Sequence, residues 1–169
     1  EAAPRVAIRF TVGVIELMPT SNGELYGFKY VNGHPSNPAK GLKTVTAFGV
    51  LADVATGYPL LVAEMTVLTA LRTAATSAMA ASRLARRDSK VMAMIGAGSQ
   101  SEFQALAFRG ALGIRSLRVF DTDPDAVAKL ARNLAPLGFD VYVAHDAADA
   151  VRTADIITTC TADKVNATI

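Results

Sequence analysis

A single cysteine among 169 residues excludes an internal disulfide and fits a reducing compartment, the cytoplasm. The two histidines, His34 and His145, lie far apart in the chain. With one cysteine they cannot supply the usual donors of a structural zinc site, and no metal is expected. Formal charges nearly cancel, at +2. No basic run and no interleaving of basic and aromatic residues occurs, so there is no electrostatic case for nucleic acid or an anionic membrane surface. No apolar run reaches membrane-spanning length, and the N-terminal residues lack a signal-peptide pattern. Internal repeats and low-complexity segments are also absent. What is present suits a globular chain with a real core: 51% hydrophobic residues and 19% charged.

The most informative stretch runs from Lys90 to Asp121. Val91 to Ile95 is a short apolar run, as in a strand buried on both faces of a parallel sheet. Gly96-Ala97-Gly98-Ser99-Gln100-Ser101 follows at once. A helical pattern begins near Ser99, carries Phe103, Leu106, Ala107 and Leu112 on one side, and can stop at Gly113. Leu117 to Phe120 makes a second strand, and Asp121 follows it. That order is the dinucleotide-binding βαβ unit. Gly96 permits a tight turn off the strand, and Gly98 lets the backbone approach a pyrophosphate. The start of the helix offers N–H groups and a positive dipole end to phosphate charge. Asp121, 25 residues after Gly96, stands where an acid binds the adenosine ribose hydroxyls. A 2′-phosphate there would be repelled by roughly 4 kcal/mol at ~4 Å and an effective dielectric of 20, which favours NAD over NADP. Ser101 replaces the third glycine and weakens the fingerprint slightly, because that position mainly allows close helix packing.

Upstream, Val6, Ile8, Phe10 and Val12 alternate with Arg5, Ala7, Arg9 and Thr11, the period of a half-buried strand. The pattern predicts one strand continuing past Gly13 through Met18, ended by Pro19. Ser21 to Glu24 signals a turn. Leu25 to Val31 reads as a second strand, with Tyr26, Phe28 and Tyr30 on one face and Lys29 on the other. Strands over Thr44 to Ala52 and Pro59 to Ala63, joined by a hairpin-type turn, complete four antiparallel strands. Thr66 to Arg86 reads as one long helix rich in alanine. Beyond Asp121, Asp123-Pro124 caps a helix to about Leu137. Phe139 to Ala144 is the third parallel strand, Asp146 to Arg152 a short helix, and Asp155 to Cys160 the fourth strand. The fold class is therefore α/β: the first half of a doubly wound, Rossmann-type parallel sheet over residues 89–169, preceded by a mainly antiparallel α+β domain over residues 1–88. The chain begins within a strand region and stops at Ala167-Thr168-Ile169, after half of such a sheet, and is expected to be cut from something longer.

Side chains that could carry chemistry are ambiguous by pattern alone. Lys29 reads by spacing as a solvated lysine on an outer face, and Arg72 as a partly exposed salt-bridge partner on the long helix. Arg5 is no more informative. Glu16, among Ile15, Leu17 and Met18, is either a surface acid or a buried functional one. His34 and His145 read as loop or surface residues, and Cys160 as a small hydrophobe at the end of a buried strand.

Five segments shift that balance: Gly13 to Pro19 (GVIELMP), Phe28 to Pro35 (FKYVNGHP), Ala47 to Asp53 (AFGVLAD), Thr69 to Ser77 (TALRTAATS) and Ser101 to Phe108 (SEFQALAF). Over essentially the whole length the chain resembles bacterial ornithine cyclodeaminases of the mu-crystallin superfamily. The resemblance implies a substrate-binding and dimerisation domain ahead of an NAD-binding one, and a homodimer. It implies that Arg5, Lys29 and Arg72 hold the α-carboxylate of L-ornithine, that Glu16 lies near the distal amine, and that Glu16 and Lys29 belong to the catalytic set. For the cofactor it implies contacts from Thr44, Arg72, Gly96, Ala97, Gly98, Ser99, Gln100, Asp121 and Thr161. The principal catalytic aspartate of the family falls beyond Ile169. The implied reaction is redox-neutral overall: the α-hydride passes to NAD, the δ-amine closes on C2, ammonia leaves, and hydride returns to give L-proline. Alternatives within the superfamily are an alanine dehydrogenase, a ketimine reductase, or a non-catalytic crystallin-like protein that binds NAD.

Overall fold

The computed structural model describes residues 4–162; Ala167-Thr168-Ile169, where the parallel sheet is expected to be cut, lie outside them. The chain divides into two compact units, residues 1–69 and 70–169. The division falls inside a helix.

The first unit holds a five-stranded antiparallel meander in the order β1-β2-β3-β4-β5, with β1 Val6–Phe10, β2 Gly13–Ser21, β3 Leu25–Gly33, β4 Ala47–Asp53 and β5 Pro59–Glu64. Two details differ from the sequence reading. The predicted single strand from Val6 to Met18 is a hairpin, with Phe10 opposite Gly13 and Val6 opposite Leu17. Thr11-Val12 forms the turn without a proline, glycine or Asx residue to announce it, so the alternation runs through it unbroken. Gly13 is required there by close approach: a Cβ would lie 2.4 Å from the Gly33 carbonyl oxygen and 2.8 Å from the His34 ring. Pro19 does not end β2 but pairs with Phe28. Since β1 accompanies β2 only to Leu17, Pro19 sits where β2 has an open edge, and the missing N–H is tolerated.

Cross-strand partners share a face of a sheet. Ala7 lies opposite Glu16, Glu16 opposite Val31, and Val31 opposite Ala47; Met18 lies opposite Lys29, and Lys29 opposite Gly49. That face contains the buried Val31 and Ala47. The other face is apolar and open. Val6, Ile8 and Phe10 are each at least half exposed, and Tyr30 stacks on the partly exposed Phe48 with ring centroids 5.0 Å apart.

Helix α1 (Thr66–Leu84) links the units, and two short bonds seat its start within the first. The Thr66 hydroxyl accepts from the Ala47 N–H at 3.0 Å, and the Thr66 N–H donates to Glu64 at 2.6 Å. The second unit continues with β6 (Val91–Ile95), α2 (Ser101–Leu112), β7 (Ser116–Phe120), α3 (Pro124–Leu134, extended by a 3-10 turn to Leu137), β8 (Asp140–Val143), α4 (Ala147–Val151) and β9 (Ile156–Thr159). Its strands are parallel in the order β8-β7-β6-β9. This is the first half of a doubly wound sheet, with its switch point between β6 and β9, where ligands of such folds bind. Met92, Met94, Leu117 and Val119 fill one core with Phe108, Leu130 and Leu134. Asp123 caps α3 by accepting from the Asp125 and Ala126 N–H groups. Asp155 ties β9 to the start of β6, accepting from the N–H groups of Lys90 and Val91 and from Arg86. No described helix is long and apolar enough to cross a membrane.

Candidate functional site

Apart from Arg72, the residues of the second unit singled out from the sequence lie where its strands end. β6 delivers the chain into Gly96, whose φ of +102° only glycine adopts without strain. A Cβ at Gly96 would also lie 2.9 Å from the carbonyl carbon of Cys160 and 3.0 Å from the Thr161 nitrogen. Gly96 and Thr161 are therefore backbone neighbours across the β6–β9 switch point. Gly98 is the opposite case: a Cβ there would meet no heavy atom within 4 Å. The turn thus leaves open space where a phosphate group would have to approach the backbone, as a dinucleotide cradle requires.

Asp121 closes the other side of this turn. Its Oδ2 accepts from the Ala97 N–H at 2.6 Å, and its Oδ1 accepts from the Asp123 N–H at 2.9 Å. The carboxylate is thereby aimed from the end of β7 and braces the turn. An open concavity of about 520 Å³ lies beside it, with Thr122, Pro124, Val143 and His145 in its lining. Ser99 is exposed. Gln100 donates from Nε2 to the carbonyl of Ala70 at 3.1 Å, anchoring the turn to α1 within the same unit. Helix α2 starts at Ser101, two residues later than the pattern indicates. Ser101 is fully buried, and its hydroxyl donates to the Gly98 carbonyl at 2.6 Å. By pattern alone this serine is a defect in the fingerprint, and nothing in the pattern signals its bond. Burial pushes the Cys160 thiol up to about 11, so it is protonated at neutral pH and is not a nucleophile.

In the first unit, Arg5, Glu16 and Lys29 lie together on the sheet face that holds Val31. Arg5 stands two residues before Ala7, the partner of Glu16, and its Nη1 is 3.5 Å from Glu16 Oε1. Glu16 is mostly shielded, with 18% of its side chain exposed. Lys29 is half-buried and donates from Nζ to the Thr69 hydroxyl at 3.4 Å; it is not the solvated lysine that spacing suggests. The aromatic side of β3 is the open one, so the expected inside and outside of this strand are exchanged.

The loop between β3 and β4 carries Thr44. Its carbonyl accepts from the His34 N–H at 2.9 Å. Asn32 Oδ1 accepts from both the N–H and the hydroxyl of Thr46 at 2.6 Å, and Asn32 Nδ2 lies 3.0 Å from His34 Nδ1. Because the amide nitrogen donates, His34 Nδ1 is assigned as acceptor and the ring proton to Nε2. Asn32 and His34 thus hold the segment that carries Thr44, a part for which only their position in the FKYVNGHP segment gives a signal. Arg72 is exposed on α1, in the second unit.

One charged cluster of the second unit serves structure. Arg118 on β7 donates to the Asp149 carboxylate at 2.8 Å and to the carbonyls of Asp149 and Ala150, and lies 4.1 Å from the Tyr142 ring centroid. The His145 N–H, foremost, with the Tyr142 hydroxyl and Arg118, holds the Asp149 carboxyl below the usual range against the opposing effect of desolvation.

Comparison with known proteins adds an independent finding. A family model described as the ornithine cyclodeaminase/mu-crystallin family matches residues 1–169. An ornithine cyclodeaminase of Brucella suis biovar 1 is 63% identical over 169 residues, covering 100% of this chain and 47% of that protein. Among solved structures, a Thermococcus litoralis Δ1-pyrroline-2-carboxylate reductase in complex with NADH and L-proline superposes with a TM-score of 0.90 at 34% identity, over 95% of this chain and 51% of that one. A lysine cyclodeaminase, studied for its recognition of L-lysine, L-ornithine and L-2,4-diaminobutyric acid, gives a TM-score of 0.88 at 34% identity, over 97% and 49%. The chain spans about half the length of the curated relatives it matches.

Proposed function

The chain belongs to the ornithine cyclodeaminase/mu-crystallin family, and from that premise we propose that the protein carrying it is an NAD-dependent ornithine cyclodeaminase of the cytoplasm. It converts L-ornithine to L-proline and ammonia. Residues 1–88 form its substrate side and residues 89–169 carry the cofactor. The observation that carries this reading is the sheet face on which Arg5, Glu16 and Lys29 sit together. A carboxylate needs cations, a second amine needs an acid, and ornithine has both groups.

NAD supplies a reversible hydride acceptor when bound. The protein's own residues bind and orient. Lys29 and Arg5 take the α-carboxylate through charge-assisted hydrogen bonds, which fixes Cα; the family resemblance assigns Arg72 to the same task. Glu16 accepts a proton from the distal amine, because only the neutral amine is a nucleophile. The Arg5 guanidinium, 3.5 Å from the Glu16 carboxyl, aims the acid until substrate arrives. In the second unit the Gly96–Gly98 turn takes the pyrophosphate, with Ser99 and Gln100 beside it. Asp121 takes the adenosine ribose and disfavours a 2′-phosphate, with Thr161 beside the turn; the family resemblance adds Thr44 to the cofactor contacts. Holding both reactants in one orientation is the main catalytic contribution of such a site. The open apolar face of the first unit's sheet supports a homodimer that covers it. Sedimentation at micromolar concentration tests that assembly, and a monomer would remove it.

The test of activity is stoichiometric. Purified protein of relative-like length, given L-ornithine and NAD, releases one ammonia per L-proline with no net accumulation of NADH. Steady growth of the NADH absorbance would refute the cyclodeaminase reading and favour a dehydrogenase. The 0.90 superposition on the reductase bound to NADH and L-proline supports one alternative, reduction of a cyclic imine. NADH consumption with Δ1-pyrroline-2-carboxylate and no turnover of ornithine would establish that alternative.

A further inference from the structure

The residue that breaks the glycine fingerprint has a task of its own. Ser101 is completely buried at the start of α2, and both its polar backbone hydrogen and its hydroxyl are spent on one atom. The Gly98 carbonyl accepts from the Ser101 N–H at 3.1 Å and from the Ser101 hydroxyl at 2.6 Å. At the other end of the same dipeptide, the Ala97 N–H donates to Asp121 at 2.6 Å. The first N–H and the last carbonyl of Ala97-Gly98 are therefore each held by a side chain from outside that dipeptide.

The Gly98–Ser99 peptide is trans, as are all the described peptide bonds, so its C=O and N–H point in opposite directions. Turning the Gly98 oxygen onto Ser101 turns the Ser99 N–H the opposite way, away from the Ser101 hydroxyl, and Gly98 itself leaves open space in this turn. It also keeps a partial negative charge away from any phosphate that enters. A glycine at position 101 would leave the carbonyl with the backbone bond alone. We infer that Ser101 is a positioning residue for pyrophosphate binding: its hydroxyl locks the Gly98 carbonyl inward and so presents the Ser99 N–H to the dinucleotide. The inference rests on the nucleotide reading of this turn. It goes further in giving a specific task to the one residue that departs from the fingerprint.

Two variants test it, Ser101→Ala and Ser101→Gly. Affinity is read by titration for NADH and ADP-ribose, which carry the pyrophosphate, and by ligand-observed NMR for adenosine, which does not. Both variants are expected to bind NADH and ADP-ribose about tenfold more weakly, equal to about 1.4 kcal/mol, with adenosine binding changed by less than twofold. Equal weakening for adenosine would show a general structural role and overturn the inference. So would a Ser101→Gly variant, which restores the glycine fingerprint, binding NADH as tightly as wild type. If the unaltered protein binds neither NADH nor ADP-ribose, the nucleotide reading falls and this inference with it. Tight wild-type binding with no effect of either substitution overturns the inference alone. Both variants only remove side-chain volume from the buried site, so neither introduces a clash.

Discussion

Gly96 and Gly98 are two residues apart in one turn, yet they are glycine for different reasons, and alanine at each separates the two. At Gly96 the backbone stands at φ +102°, where a residue with a Cβ carries strain of about 1–3 kcal/mol. The new methyl would also lie 2.9 Å from Cys160 and 3.0 Å from Thr161, in both cases against backbone. Backbone cannot swing aside as a long side chain can, so β9 or the turn must move. Gly96→Ala is therefore expected to lower unfolding free energy by about 2–4 kcal/mol, the strain plus a similar term for displaced strand packing. Gly98 has no positive φ, and a methyl group there would have no heavy atom within 4 Å. Gly98→Ala is expected to leave stability unchanged or to raise it by up to about 1 kcal/mol, through the loss of unfolded-chain freedom. Its cost falls on the cofactor: NADH affinity should drop at least about tenfold as the methyl takes the space of a phosphate. Urea unfolding without ligand, followed by NADH titration of both variants, reads the two effects separately. A Gly96→Ala protein within about 0.5 kcal/mol of wild type, or a Gly98→Ala protein that binds NADH normally, would refute the reasoning.

Three further outcomes are expected. Lys29→Ala should raise the ornithine KM at least tenfold and leave the NAD dissociation constant within twofold; equal loss of both would make Lys29 structural. Asp121→Ala should narrow the preference for NAD over NADP and also weaken NAD itself, since the Ala97 N–H loses its acceptor; an unchanged ratio of the two affinities would take Asp121 out of the ribose site. The Asp155 carboxyl is held below its ordinary 3.8 by the Lys90 N–H first, then the Val91 N–H and Arg86, against desolvation. A lowered folded-state value means that its contribution is fully present above the unfolded value and disappears as pH falls through the folded one. Asp155→Asn should accordingly be less stable at pH 7 and lose less on going from pH 5 to pH 2 than wild type does; parallel acid curves for the two proteins would contradict the assignment.

The βαβ unit from Lys90 to Asp121 is legible because its signals are local and consecutive. A buried strand, a glycine turn, a helix and a terminal acid must each be encoded where they occur. The Asp123-Pro124 cap and the short strands of the parallel sheet are readable for the same reason. The Thr11-Val12 hairpin is not, since period-2 alternation continues through a turn that carries no turn-forming residue. Pro19 misleads because its tolerance depends on where the neighbouring strand stops, which is a property of the pairing and not of Pro19.

Sequence alone was enough for the order of elements from Lys90 onward, the nucleotide turn and the family. It could not decide which side of β3 would be covered, because alternation separates two faces without saying which one faces in. Tertiary pairing made that decision, placing Lys29 against Thr69 and Glu16 against Arg5 while leaving the Tyr30–Phe48 face open. It also decided the part taken by Ser101. Whether a buried hydroxyl is a flaw or a lock depends on the acceptor within its reach, and only the packing of α2 against its own turn brings the Gly98 carbonyl there.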